Sequence, residues 1–263
     1  VPPPPPATVD ATPPPPGPAQ PTAAGSAPPP PGGPSAAPVG IGGITTDLLT
    51  DPQYTEVGSS QRVALQNKRL LKVVLGEPIL ARQGSMVAFQ GQMDFHYEGS
   101  GMSKFLKKAM TGEGLSLMRV SGQGELFLAD SAYQIHVIHL NGGGLTVNGR
   151  NVLAFEPSLS WDVERVQGAG MIAGGLFNTR LEGHGWVAIT TDGDPVVLQV
   201  DQPTYADAQA AVAWSSSLTT SINRTFKAQS LVGRGSGEVA QLAFKGQGIV
   251  IVQPSEGHVA LSQ

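Results

Sequence analysis

Cysteine is absent from this 263-residue chain. Disulfides and thiolate-bound metals are therefore excluded, and a reducing compartment suits the sequence. Apolar runs are short: none approaches the roughly 18 residues that would cross a bilayer as a helix. No secretory signal pattern opens the chain. It begins at Val1 rather than at a methionine, which leaves room for a targeting signal or an anchor upstream. The expected location is the cytoplasm, with membrane association as an added option. An excess of positive charge is also missing. The chain carries 16 bases against 20 acids, so net charge gives no support to a basic nucleic-acid surface.

Catalytic and cofactor motifs are missing as well. No Gly-Lys-Ser/Thr occurs, which excludes a phosphate-binding Walker loop. GRGSG (233–237) resembles a nucleophile elbow, but Arg234 stands where the first glycine of Gly-x-Ser-x-Gly belongs. GEGLSL (112–117) lacks a third glycine at dinucleotide spacing. HVIH (136–139) offers two imidazoles, yet residues three apart on a strand face opposite sides, so His136 and His139 cannot share one ion. No second histidine stands at ligand spacing from His96, His184 or His258, and no metal site is expected there. The expectation is a chain without catalytic residues, cofactor or metal, and not an enzyme.

Proline, glycine and alternation are what the sequence has instead. Residues 1–40 hold 17 of the 23 prolines, one acid (Asp10), no base and no aromatic. Too little apolar surface is available there to offset chain entropy, so a disordered leader with polyproline II character is expected. Residues 41–66 read as a connecting segment, and residues 67–263 as an all-β domain.

One phrase recurs. VSGQGELFLA (120–129), LEGHGWVAIT (181–190) and FKGQGIVIVQ (244–253) all read apolar–x–Gly–x–Gly, with the glycines 61 and then 63 residues apart. On a period-two strand Gly122 and Gly124 share a face with Val120, Leu126 and Leu128. Gly183 and Gly185, and then Gly246 and Gly248, sit in the same way. Glycine weakens a strand and often marks a close approach. Each pair is therefore expected to leave a slot, filled by a bulky side chain such as a repeat aromatic or by a neighbouring backbone. Upstream of each phrase lies a second alternating stretch: MVAFQGQMDF (86–95), VLAFEPSLSW (152–161) and AVAWSSSLTT (211–220). Their alignment places Phe89, Phe155 and Trp214 at one position, expected to be a core position. It places Met93, Leu159 and Leu218 at the next, and Phe95, Trp161 and Thr220 beyond. Two motifs in the same order and spacing predict three repeats, at about 67–132, 133–194 and 195–255.

Local signals add detail. VNGR (147–150) predicts an Asn-Gly hairpin turn and DGDP (192–195) another turn. NGGG (141–144) predicts a loop. MSKFLKKAM (102–110) has the spacing of a short amphipathic helix, and TYADAQAA (204–211) that of a helical turn or two.

FQGQMDFHYEG, GEGLSLMRVSGQGELFLA, HLNGGGLTVNGRNVLAFEPSLSWDV and GGLFNTRLEGHGWVAI, in that order, resemble the altered inheritance of mitochondria protein 24 family. Its domain is also called a mitochondrial biogenesis domain. The resemblance runs from about Lys68 to Gln253. It implies a fold like that of the tryptophan RNA-binding attenuator protein, a compact β-sandwich or barrel-like domain of repeated units. It implies no catalytic residues, and one mitochondrial member is tied to inner-membrane organisation. Fold alone does not confer function. The expected role is a non-enzymatic β scaffold in assembly or membrane-proximal organisation, with a protein partner or self-association and not nucleic acid. The alternative is a small-ligand or RNA-binding module that uses clefts between repeat units. Lys104, Phe105, Lys107, Lys108 and Met110 are the expected membrane or partner contact, because lysines beside apolar residues suit an anionic surface.

Overall fold

The computed structural model describes Val1, Thr46, Leu48, Asp51 and residues 54–58, 61–97, 115–165, 177–223 and 241–255. The rest of the proline-rich leader, the segment 102–110 and GRGSG lie outside the described residues. The chain divides after Asp51, and the described strands all belong to Pro52–Gln263.

The chain is all-β, built of antiparallel pairs, and each glycine phrase runs between two flanking strands. In the first triplet β1 (Val63–Asn67) covers the edge of β2 (Leu70–Leu75). That strand and β3 (Ile79–Arg82) flank one side of β5 (Leu117–Leu128), and β4 (Met86–Tyr97) flanks the other. In the second, β6 (Gln134–Asn148) lies on one side of β9 (Phe177–Thr191), with β7 (Val152–Phe155) and β8 (Ser160–Arg165) on the other. In the third, the middle strand is broken into β14 (Gln241–Lys245) and β15 (Gly248–Val252). It lies between β10 (Val196–Val200) with β11 (Thr204–Asp207) and β12 (Ala211–Ser215) with β13 (Thr219–Asn223).

The register is the same in all three triplets. Phe89 lies opposite Leu126, Phe155 opposite Val187, and Trp214 opposite Val250. Each pairing slips by one residue just before that position, at Val87, Leu153 and Val212, as a β-bulge does. Further along, Phe95 faces Val120, Trp161 faces Leu181, and Thr220 faces Phe244. An edge-to-face aromatic pair forms each time: Phe89–Phe95 at 5.4 Å, Phe155–Trp161 at 5.8 Å and Trp214–Phe244 at 5.3 Å. In the third triplet Thr220 has no ring, and the residue facing it across the ladder supplies one.

Neighbouring triplets join edge to edge, again in one register. β3 pairs with β7, Leu80 opposite Phe155 and Ala81 opposite Ala154. β6 pairs with β12, Thr146 opposite Trp214 and Val147 opposite Ala213. A 12-stranded sheet results, and β11, β14 and β13 form a separate three-stranded one. The core follows these joins. One apolar cluster places Leu80 with Phe155, Val187 and Ala213, and a second places Leu71 and Leu126 with Leu153 and Trp186. A third surrounds Trp214 and Phe244.

Three local expectations need correction. NGGG is no loop: it lies inside β6, where the ladder with β9 continues past a bulge at Gly142. VNGR does not form an Asn-Gly hairpin turn. Asn148 has φ −57° and caps a 3₁₀ turn, Gly149–Asn151, by accepting from Arg150 N. TYADAQAA opens as β11, because residues 204–207 pair with β14 instead of closing a helical turn.

Candidate interaction surface

The glycine pairs show how close the neighbouring strand comes. In the first triplet a Cβ on Gly122 would overlap the carbonyl oxygen of Gln92, and one on Gly124 that of Gln90. Neighbouring backbone therefore fills the space. In the other triplets side chains fill it: a Cβ on Gly185 would lie 2.6 Å from Glu156 Oε2 and 3.2 Å from Leu159 Cγ, and one on Gly248 would lie 2.7 Å from Ser215 Oγ and 3.3 Å from Leu218 Cγ. In place of the expected repeat aromatic stand Glu156 and Ser215, with leucine from the position aligned with Met93 behind them. Gly183 departs from the slot reading, since its nearest neighbour, Leu159 Cδ2, is 3.9 Å away. Its φ of +116° is what requires glycine there.

The aligned aromatics differ sharply in exposure. Phe155 is 0% and Trp214 3% exposed, but Phe89 is 43% exposed. The expectation of a core position fails for Phe89 because of the strand that carries it. β7 and β12 are covered by β3 and β6, whereas among the described strands β4 pairs with β5 alone. Only Met93 and Phe95 of β4 pack against the core. Met86, Val87, Phe89 and Tyr97 leave apolar surface on a strand whose second edge no other described strand covers. An open concavity of about 650 Å³ adjoins it, lined by Phe89, Gly91, Gln92, Met93, Asp94, Gly122 and Gln123. Asp94 is the one ionisable side chain in that lining. Such a surface provides backbone pairing and apolar contact, the means by which a sheet edge takes up another strand. Sequence reasoning missed it. The available signal was position: the first and last members of a linear array lack one neighbour each.

Charged side chains tie neighbouring strands and turns together. Lys72 is 4% exposed, and its Nζ lies 2.8 Å from Glu125 and also bonds Glu56. Those bonds, Glu125 first, hold the amine above its usual range, while burial opposes them. Lys72 in turn holds Glu56 below the usual carboxylate range. Arg82 reaches Asp130 at 2.7 Å and donates to the carbonyls of Gly149, at 2.8 Å, and Arg150. Burial draws its guanidinium below the ordinary value, and Asp130 opposes that. His136 bonds Thr191 Oγ1 at 2.9 Å, and burial lowers its affinity for a proton. Among the described residues no group of three or more histidines or carboxylates is placed to hold a metal. Lys104, Phe105, Lys107, Lys108 and Met110 lie outside the described residues.

Among the described residues no helix is long and apolar enough to cross a membrane. No curated protein matches the chain. The crystal structure of protein SPYM3_0169 from Streptococcus pyogenes is similar in fold, with a TM-score of 0.61 and 24% identity over 73% of this chain and 92% of that one. The family model described as Mitochondrial biogenesis AIM24 matches residues 62–255, the stretch that holds all three triplets. The chain therefore belongs to the mitochondrial biogenesis AIM24 family.

Proposed function

We propose that this chain is a non-enzymatic β scaffold, three copies of one three-stranded unit joined edge to edge, and that it binds a protein through β4. One observation carries the reading. The aromatic at a single register position is buried wherever another strand covers it and 43% exposed on β4, where no other described strand does. A long strand edge with apolar side chains is a template for pairing unless something covers it. The concavity lies on β4 and β5 within one unit, so it lends no support to a ligand held in a cleft between units.

The test is a photo-reactive phenylalanine in place of Phe89, with the same group at exposed Lys68 as control. After irradiation in the native cell, position 89 should give protein adducts and position 68 should not. Adducts to RNA or lipid alone, or none, would contradict the reading.

A further inference from the structure

We infer that the partner of β4 is β11 of a second copy of this chain, paired head to tail with Phe89 opposite Tyr205. The inference rests on β4 being a protein-binding edge. It follows from the two junctions the chain already contains. Counted from the glycine strands, Leu80, Thr146 and Tyr205 are equivalent, because their neighbours Ile79, Leu145 and Thr204 face Val120, Leu181 and Phe244. Leu80 pairs with Phe155 and Thr146 with Trp214. A third junction in that register sets Tyr205 against Phe89 and Ala206 against Ala88.

Exposure marks both halves as open. Leu80 and Thr146 are 0% and 6% exposed, while Tyr205 is 51% exposed. Among the described strands β11 pairs with β14 alone, as β4 does with β5. The two edges differ and belong to one chain, so their pairing is heterologous and adds copies in one direction, closing a ring or extending a filament. One feature departs from the internal junctions. Arg82 donates to the carbonyl of Gly149, and Asn148 donates to that of Ala208, 3.4 Å away. Asp207 stands at their position and accepts from Gln209 N and Ala210 N instead. The contact between copies lacks that bond and should be weaker than the junctions within the chain, so assembly should follow concentration.

Sedimentation velocity over a concentration series tests this with the full chain. The parent should shift to larger species as concentration rises. Phe89→Asp and Tyr205→Asp should each stay monomeric. Mixed in equal amounts, they should form a one-to-one dimer that grows no further, because each retains the edge the other has lost. A parent that stays monomeric, single variants that associate like the parent, or a mixture that stays monomeric would each overturn the inference. Because the chain has no cysteine, Phe89→Cys and Tyr205→Cys proteins provide a second measurement if an aspartate variant misfolds. Residues directly opposite in an antiparallel pair are within disulfide reach. Mild oxidation of the mixture should give the mixed dimer in excess over random pairing, and random pairing would contradict the register. A monomeric parent whose position 89 still gives adducts to another protein would sink this inference alone. Absence of any protein adduct would sink the scaffold reading with it.

Discussion

Phe155 and Phe89 share a register position and differ in what truncation should cost. Phe155 is wholly buried, so Phe155→Ala should destabilise the protein by about 3–5 kcal/mol. Phe89→Ala removes a half-exposed ring from an open edge and should cost less than about 1 kcal/mol in a dilute urea melt. Equal losses would mean that β4 is covered. The glycines separate by mechanism. A side chain on Gly124 meets the Gln90 carbonyl, and backbone cannot yield as a side-chain tip does. Gly183 has room, and its alanine variant carries only the strain of its φ, roughly 1–3 kcal/mol. Urea melts should therefore rank Gly124→Ala as the more damaging of the two, and the reverse order would contradict the backbone contact. The alternation of Val120, Leu126 and Leu128 placed these strands from sequence alone, because one buried face forces period two. The occupant of the glycine space was not legible. Leu159 and Leu218 lie far from those glycines in sequence and reach them only through the pairing.

Where two elements meet, the bonds across the join should carry stability. Arg82 ties the end of β3 to Asp130 and to the turn before β7. Arg82→Ala should cost about 1.5–3 kcal/mol, the range for bonds to a charged group, and a neutral result in thermal melts would contradict that role. Lys72 on β2 ties residue Glu56 to Glu125 on β5. Its amine is raised in the folded state, so its contribution is complete below the unfolded lysine value of about 10.4 and is lost as pH rises through the folded one. Glu56 is lowered, so its contribution is present above about 4.3 and is lost as pH falls through its folded value. The contribution of this pair should be level between those limits and fall at both ends. Lys72→Met should flatten both falls, and unchanged slopes in urea melts across the pH range would contradict the assignment. Element type was legible where alternation was strong, as in β4 and β5. It was misread at NGGG and TYADAQAA, where glycine and alanine are weak local signals and the pairing with β9 and β14 decides the outcome.

At the scale of the whole molecule, the two internal junctions repeat one register, and β4 and β11 each keep an edge that no other described strand pairs with. The aligned aromatics and the glycine spacing are the sequence features that suggest an array of repeats. The open ends were not readable, because Phe89 looks like Phe155 until the strand order shows that nothing described pairs beyond β4. These ends are proposed to meet between copies. Hydrogen exchange measured by mass spectrometry at low and high protein concentration tests it most directly. The amides of residues 88–90 and 204–206 should exchange more slowly at high concentration, while those of β3 and β12, already paired within the chain, should not change. Exchange at 88–90 and 204–206 that is the same at every concentration would contradict the account.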